Sequence, residues 1–271
     1  MQQALAIKYQ QLHPLLKVAI YVGTNYGLIF LTQFVGPLGE MAVNIFLCLS
    51  VIFFTKFILT LEGRKLDEIG WRPLNNHHWK QLITGTVVGM CMLVTAAFIV
   101  KWQTGFRWEN ANLPSLKIAG AFVAVFASAY VQELAFRGYP FQLLLKKYGL
   151  WPAQIIIALL FGLMHLDGGM SAIDVASTMF TTGIGSLIFA LAYLKTKNLA
   201  LPVGIHFGWN FLQLLLPRHP SMNGKGIVKI AAGSFDASKL NTLTWILPYT
   251  LIMAVVGIWL ITAWKRLTLE A

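Results

Sequence analysis

The sequence predicts an all-α fold, a polytopic membrane bundle of about eight transmembrane helices. Of its 271 residues, 57% are apolar and only 11% are charged, against roughly 25% charged in a soluble domain. Mean hydropathy is +0.66. The apolar residues fall in eight runs, at 18–36, 41–61, 82–100, 116–136, 151–166, 174–194, 200–216 and 243–263. Several reach the ~20 residues that a helix needs to cross a bilayer. A soluble globular protein, a disordered chain and a coiled coil are excluded by this composition.

Each run has its own marks. The first follows Lys8 and Lys17 and has no small-residue cleavage site, so it is expected to remain as a helix. The second and third hold Cys48 and Cys91. Two cysteines in apolar runs exclude a disulfide scaffold and any multi-cysteine metal site, and read as packing thiols. The third run carries Gly85 and Gly89, a GxxxG pair. In the fourth, Gly120, Ala124 and Ser128 make a stripe at spacing four that leads to Gln132 and is expected to turn it inward. Thr182, Ser186 and Ala190 repeat the pattern in the sixth. Small residues let helices approach closely in lipid. The fifth and seventh runs are short for a simple crossing. The longest polar stretches are 62–81 and 217–242, and no soluble domain or low-complexity linker interrupts a single transmembrane domain over 1–271.

Net charge is +11, from 21 Lys and Arg against 10 Asp and Glu. The basic residues lie between apolar runs, where they set topology and meet anionic lipid rather than nucleic acid. Thirteen fall at the end that holds both termini and the segments 62–81, 137–147 and 195–197, and seven at the other, with Lys56 inside a run. The positive-inside rule then puts both termini in the cytoplasm.

Three of the runs carry strongly polar groups. Gln132, Glu133 and Arg137 end the fourth, His165 ends the fifth, and His206 and Asn210 sit inside the seventh. Ionisable residues at membrane depth are costly and face a cavity or a partner. Gln132 lies fifteen residues before Lys147 and His165 fifteen after Leu150, so in an antiparallel hairpin each is about 22 Å from the turn. His206 and Asn210 are four apart and share a helix face, as do Glu133 and Arg137, an expected ion pair. Runs four to seven are expected to surround one polar cavity holding Gln132, Glu133, His165, His206 and Asn210.

These segments read Gln132–Glu133–Leu–Ala–Phe–Arg137, Phe161–Gly–Leu–Met–His165 and His206–Phe–Gly–Trp–Asn210. Over about 116–216 the ordered set resembles the CPBP intramembrane proteases, the family of type II CAAX prenyl endopeptidases and bacteriocin-processing or immunity proteins, whose motifs are EExxxR, FxxxH and HxxxN. The resemblance implies a glutamic-type membrane endopeptidase whose site opens toward lipid and cytoplasm and which acts on a membrane-associated peptide or protein. It also implies that the first motif glutamate and His165 activate water, that His206 and Asn210 stabilise the oxyanion, and that Arg137 fixes Glu133. Peptide hydrolysis needs such a base and such donors. The implied location is the cell membrane of a bacterium or the endoplasmic reticulum membrane of a eukaryote.

One position departs from the pattern. Gln132 stands where the family has its first glutamate, and an amide is no carboxylate base. Glu133 is adjacent but about 100° around the helix. Three explanations stay open: a natural variant that uses Glu133 or His165 as base, an inactive scaffold or regulatory protein, and an engineered inactivation. With the rest of the set intact, Gln132→Glu is expected to raise or create peptidase activity. Two histidines and a glutamate could also ligate zinc, but no HExxH motif occurs, and neither a metal nor another cofactor is expected. A small-molecule transporter would be expected to show an inverted repeat or paired broken helices, and neither is seen.

Overall fold

The computed structural model describes residues 2–36, 39–111, 114–223, 226–239 and 242–262. Lys225, Lys265 and Arg266, counted above among the basic residues, lie outside the described residues. Each of the eight apolar runs forms a helix or most of one. They are α2 (Pro14–Val35), α3 (Glu40–Leu61), α4 (Asn76–Thr104), α5 (Ser115–Glu133), α7 (Leu150–Leu163), α8 (Ala172–Thr196), α9 (Ala200–Leu215) and α10 (Thr242–Thr262). A short α1 (Gln2–Gln11) precedes them, and α6 (Tyr139–Tyr148) continues α5 through a π-helical turn at Leu134–Gly138.

Local chemistry sets the ends. Pro14 begins α2, where its missing N–H is no loss. The Asn75 side chain accepts from the His78 N–H to cap α4, and Ser171 caps α8 through Asp174. Gly149 sits between α6 and α7 at φ 81°, a reversal that suits a residue without Cβ.

Among the described residues, five helices are long and apolar enough to cross a membrane: Pro14–Val35, Ala42–Leu61, Asn76–Thr104, the continuous Leu116–Tyr148 and Ala172–Thr196. Leu150–Leu163 and Ile246–Thr262 are shorter, and α9 has 16 residues. Large apolar side chains such as Phe34, Phe53, Ile83, Leu159 and Val255 are exposed on the outer surface, as lipid-facing side chains are. The chain is an all-α membrane bundle with one small addition. β1 (Trp108–Asn110) and β2 (Val228–Ile230) pair antiparallel, Trp108 opposite Ile230, so part of the polar stretch 217–242 is tied down as a strand.

Contacts between helices fix their directions. Lys17 bonds Glu62 and Tyr21 bonds Thr55, so α2 and α3 run antiparallel. Gly70 packs on Lys197 and Asn198 at one end of the bundle, and the β1–β2 pair closes the other. Segments 62–75, 149 and 197–199 therefore share the first end, and 105–111, 164–171 and 216–239 share the second.

The closest approach lies between α4 and α9. A Cβ on Gly85 would stand 2.5 Å from the Leu201 carbonyl oxygen, and one on Gly89, Gly204 or Gly208 would meet the facing backbone as closely. The GxxxG pair read in the sequence is thus half of a four-glycine contact. Glycine admits backbone where any side chain would hold it off, and this contact sets the position of α9 and of His206 on it.

Candidate active site

The centre is a buried ion pair. Glu133 and Arg137 are both fully buried, with Arg137 Nη1 3.3 Å from Glu133 Oε1. Glu133 immediately precedes the π-helical turn and Arg137 lies within it, a local widening of the helix that is frequent at functional sites. Arg137 Nη2 also donates to the Ser186 carbonyl at 3.0 Å and to Ser186 Oγ at 2.6 Å. Its guanidinium lies 4.7 Å from the Phe161 ring centre and 5.3 Å from that of Phe189. Cation and carboxylate are thus held in apolar surroundings by each other, by Ser186 and by two aromatic faces.

Glu133 reaches across to α9. His206 Nδ1 lies 2.9 Å from Glu133 Oε1, and the imidazole stacks on Phe189 with ring centres 4.7 Å apart and planes 15° apart. A carboxylate oxygen accepts a hydrogen bond from Nδ1–H, which leaves Nε2 as the working nitrogen of His206. His165 is oriented in the same way by different means. Its Nδ1 is 2.8 Å from the Phe161 carbonyl oxygen, which only accepts, so Nδ1 carries the hydrogen. Both rings pack on Phe161, at centroid distances of 4.7 Å for His165 and 6.0 Å for His206.

His165, His206 and Asn210 line one cavity of about 330 Å³, between α4, α7, α8, α9 and α10. Its other walls include Thr178, Thr181, Thr182, Gln213, Arg218 and Tyr249. Glu133 stands behind His206 rather than in the wall. The cavity extends along α9 toward Arg218 and Met222, at the 216–239 end of the bundle. The motif resemblance implies a site opening toward the cytoplasm. The chamber runs toward the end of the bundle opposite the one where Gly70 packs on Lys197 and Asn198.

Gln132 is the residue that the structure sets apart. The sequence expectation put it in the common cavity, turned inward by the stripe Gly120, Ala124 and Ser128. That stripe faces α3, where Gly120 and Ala124 border a pocket with Asn44 and Cys48. Gln132 continues the same face, so Nε2 donates to Ser128 Oγ at 3.0 Å and the side chain lines a separate cavity of about 30 Å³ with Val22, Asn25, Val51 and Phe136. A rotation of about 100° to the next residue carries Glu133 to the α9 side.

Two contributors escaped the sequence reading. Ser186 lay in a stripe read only as helix packing, yet it holds Arg137. Phe189 carried no motif and is the platform for His206. Among the described residues, no group of three His, Cys, Asp or Glu side chains is placed to hold a metal ion.

Residues 114–212, which include all three motifs, match the family model described as Rce1-like, type II CAAX prenyl endopeptidase. The UPF0177 protein YvdC of Lactococcus lactis subsp. lactis (strain IL1403) is 27% identical over 183 residues, covering 62% of this chain and 66% of that protein. The chain thus spans slightly less than two thirds of that relative's length. At the level of the family, the likeness is to membrane endopeptidases of the CAAX type.

Proposed function

We propose that this chain is a membrane endopeptidase that hydrolyses a membrane-associated peptide with water activated in the cavity between α7 and α9. The observation that carries the reading is the convergence of His165, His206 and Asn210 on one chamber, with both histidines oriented through Nδ1. His165 is the general base. Its Nε2 takes a proton from water as the water oxygen bonds to the scissile carbonyl carbon. The carbonyl oxygen becomes an oxyanion and accepts from the Asn210 amide and from Nε2–H of His206 in its imidazolium form. The proton then passes from His165 to the departing nitrogen, and the C–N bond breaks. Glu133 and Arg137 touch no reacting atom. They are positioning residues, Glu133 for His206 and Arg137 for Glu133.

The basic-residue count supports cytoplasmic termini and a cavity that opens on the opposite face of the membrane. Lipid covers the exposed apolar belt, and the substrate is a peptide or protein within reach of that face.

The test is cleavage by purified protein in lipid nanodiscs, with a peptide panel containing prenylated and unmodified substrates. A positioned base contributes about 10²–10⁴-fold, so His165→Gln should lower kcat by at least 10²-fold with little change in KM. Asn210→Ala should cost on the order of 10² as one oxyanion donor. Turnover that survives His165→Gln would overturn the assignment.

A second reading rests on Gln132. The amide where the family places its first glutamate favours an inactive member that serves as a membrane scaffold or regulatory protein. In that case no peptide in the panel is cleaved, and His206→Ala and Asn210→Ala alter partner binding or stability instead.

A further inference from the structure

Two buried amides border the small cavity beside Gln132. Asn25 on α2 is 6% exposed, and its Nδ2 donates to the Tyr21 carbonyl at 2.8 Å. That carbonyl can only accept, which fixes the orientation of the amide and leaves Oδ1 as its other end. Gln132, in the last turn of α5, likewise turns Nε2 back along its own helix to Ser128 Oγ. Asn25 Oδ1 and Gln132 Oε1 are both buried, and neither meets a donor among the described residues. A buried acceptor without a donor is costly, and two of them around one cavity call for a shared partner.

The cavity lies where α2, α3 and the end of α5 meet Met164, and it has about 30 Å³ of room for the centre of a water molecule. Roughly 10–15 Å³ of such room admits one water, which then needs about two to four polar partners. Tyr26 is the third polar group on the wall. Its hydroxyl hydrogen goes to the Leu160 carbonyl at 2.8 Å, so only its oxygen lone pairs remain. The polar groups of the wall therefore present acceptors, and the ligand that fits them brings donors. None of the described lining residues is charged, so a cation in the cavity would be buried without a counter-charge.

We propose that one water molecule is bound between Asn25 and Gln132. It donates one hydrogen to Asn25 Oδ1 and the other to Gln132 Oε1, and so ties α2 to the last turn of α5, one residue before Glu133. The Ser128 hydroxyl can also donate. With the Gln132 amide reversed, the same water accepts from Nε2 and still donates to Asn25. The bridge does not depend on the peptidase reading. It suits a neutral side chain at position 132, because one water does not replace the hydration of a carboxylate.

The test is a crystal structure of the full chain, grown in a lipid mesophase and diffracting well enough to show ordered water. One peak is expected about 2.5–3.2 Å from both amides. Gln132→Met and Asn25→Leu each replace one partner by an apolar side chain of similar size, and both should lose the peak. Thermal melts of the variants check their folding. A second measurement uses isotope-labelled protein in micelles. The Gln132 side-chain amide of the wild type should show magnetisation transfer from a long-lived water, and folded Asn25→Leu should lose it.

A direct Asn25–Gln132 contact, density for a lipid chain, or no density between the two amides would overturn the bridge. So would a peak that persists in folded Gln132→Met, or a wild-type Gln132 amide without the water signal.

Discussion

Glu133→Gln is the sharpest probe of the ion pair at the centre of the bundle. Both partners are fully buried and 3.3 Å apart. Breaking a buried pair by removing one partner costs about 3–5 kcal/mol, because the remaining charge loses its compensation. Some of that is recovered here. The glutamine carbonyl can still accept from Arg137 Nη1 and from His206 Nδ1, at roughly 1 kcal/mol each instead of about 1.5–3 for a charged acceptor. The contacts of Arg137 with Ser186, Phe161 and Phe189 are the same in both proteins and cancel. The expected loss is about 3 kcal/mol. In Glu133→Gln with Arg137→Met neither charge remains, so the double variant should be at least ~2 kcal/mol more stable than the sum of the singles predicts. Equilibrium unfolding in mixed micelles, with increasing sodium dodecyl sulfate, measures all four corners of the cycle. A Glu133→Gln protein within about 1 kcal/mol of wild type, or a cycle that closes additively, would refute the pair as the element that holds His206.

Much of this arrangement was legible in the sequence, for reasons of unequal strength. Apolar runs gave the helices because nothing else satisfies the backbone in lipid. Their number as crossings was less legible, because α7 and α9 are short and a run's length does not state its path. Glu133 and Arg137 were readable as a pair because four residues close one helical turn. The other partners of Arg137 depend on which neighbour α5 faces, which local spacing does not state. Gln132 shows the same limit from the other side. Its stripe of small residues faces α3 but is not closely packed: Gly120 has open space around its Cβ position and borders a pocket with Ala124, Asn44 and Cys48, and a polar residue that continues that face is not thereby in the chamber. The strand pair at 108–110 and 228–230 joins segments more than a hundred residues apart and left no signature in either.

The other variants test the packing and the motif departure. Gly85→Ala should destabilise the bundle by about 1–3 kcal/mol, the usual effect of overpacking, because its Cβ would stand 2.5 Å from the Leu201 carbonyl oxygen. Gly23→Ala, with open space around its Cβ, should unfold like wild type in the same micelles. Position 132 gives the more telling result. The motif alone leads to the expectation that a glutamate there restores the missing base and raises turnover. The geometry leads to the opposite one. Gln132 bonds Ser128 and faces a small cavity walled by Val22, Ile29, Val51 and Phe136, on the side of α5 away from His206. A carboxylate in that pocket gains no cation and loses water, and it has neither of the N–H donors that the amide offers, including the one that bonds Ser128. Gln132→Glu should therefore lower stability by about 1–3 kcal/mol and change kcat by less than about twofold, since no charge enters the reacting chamber. Both are measured on the nanodisc preparation used for cleavage. A gain near the 10² that a new general base brings would mean that residue 132 reaches the water after all, and the role of base would pass from His165 to position 132.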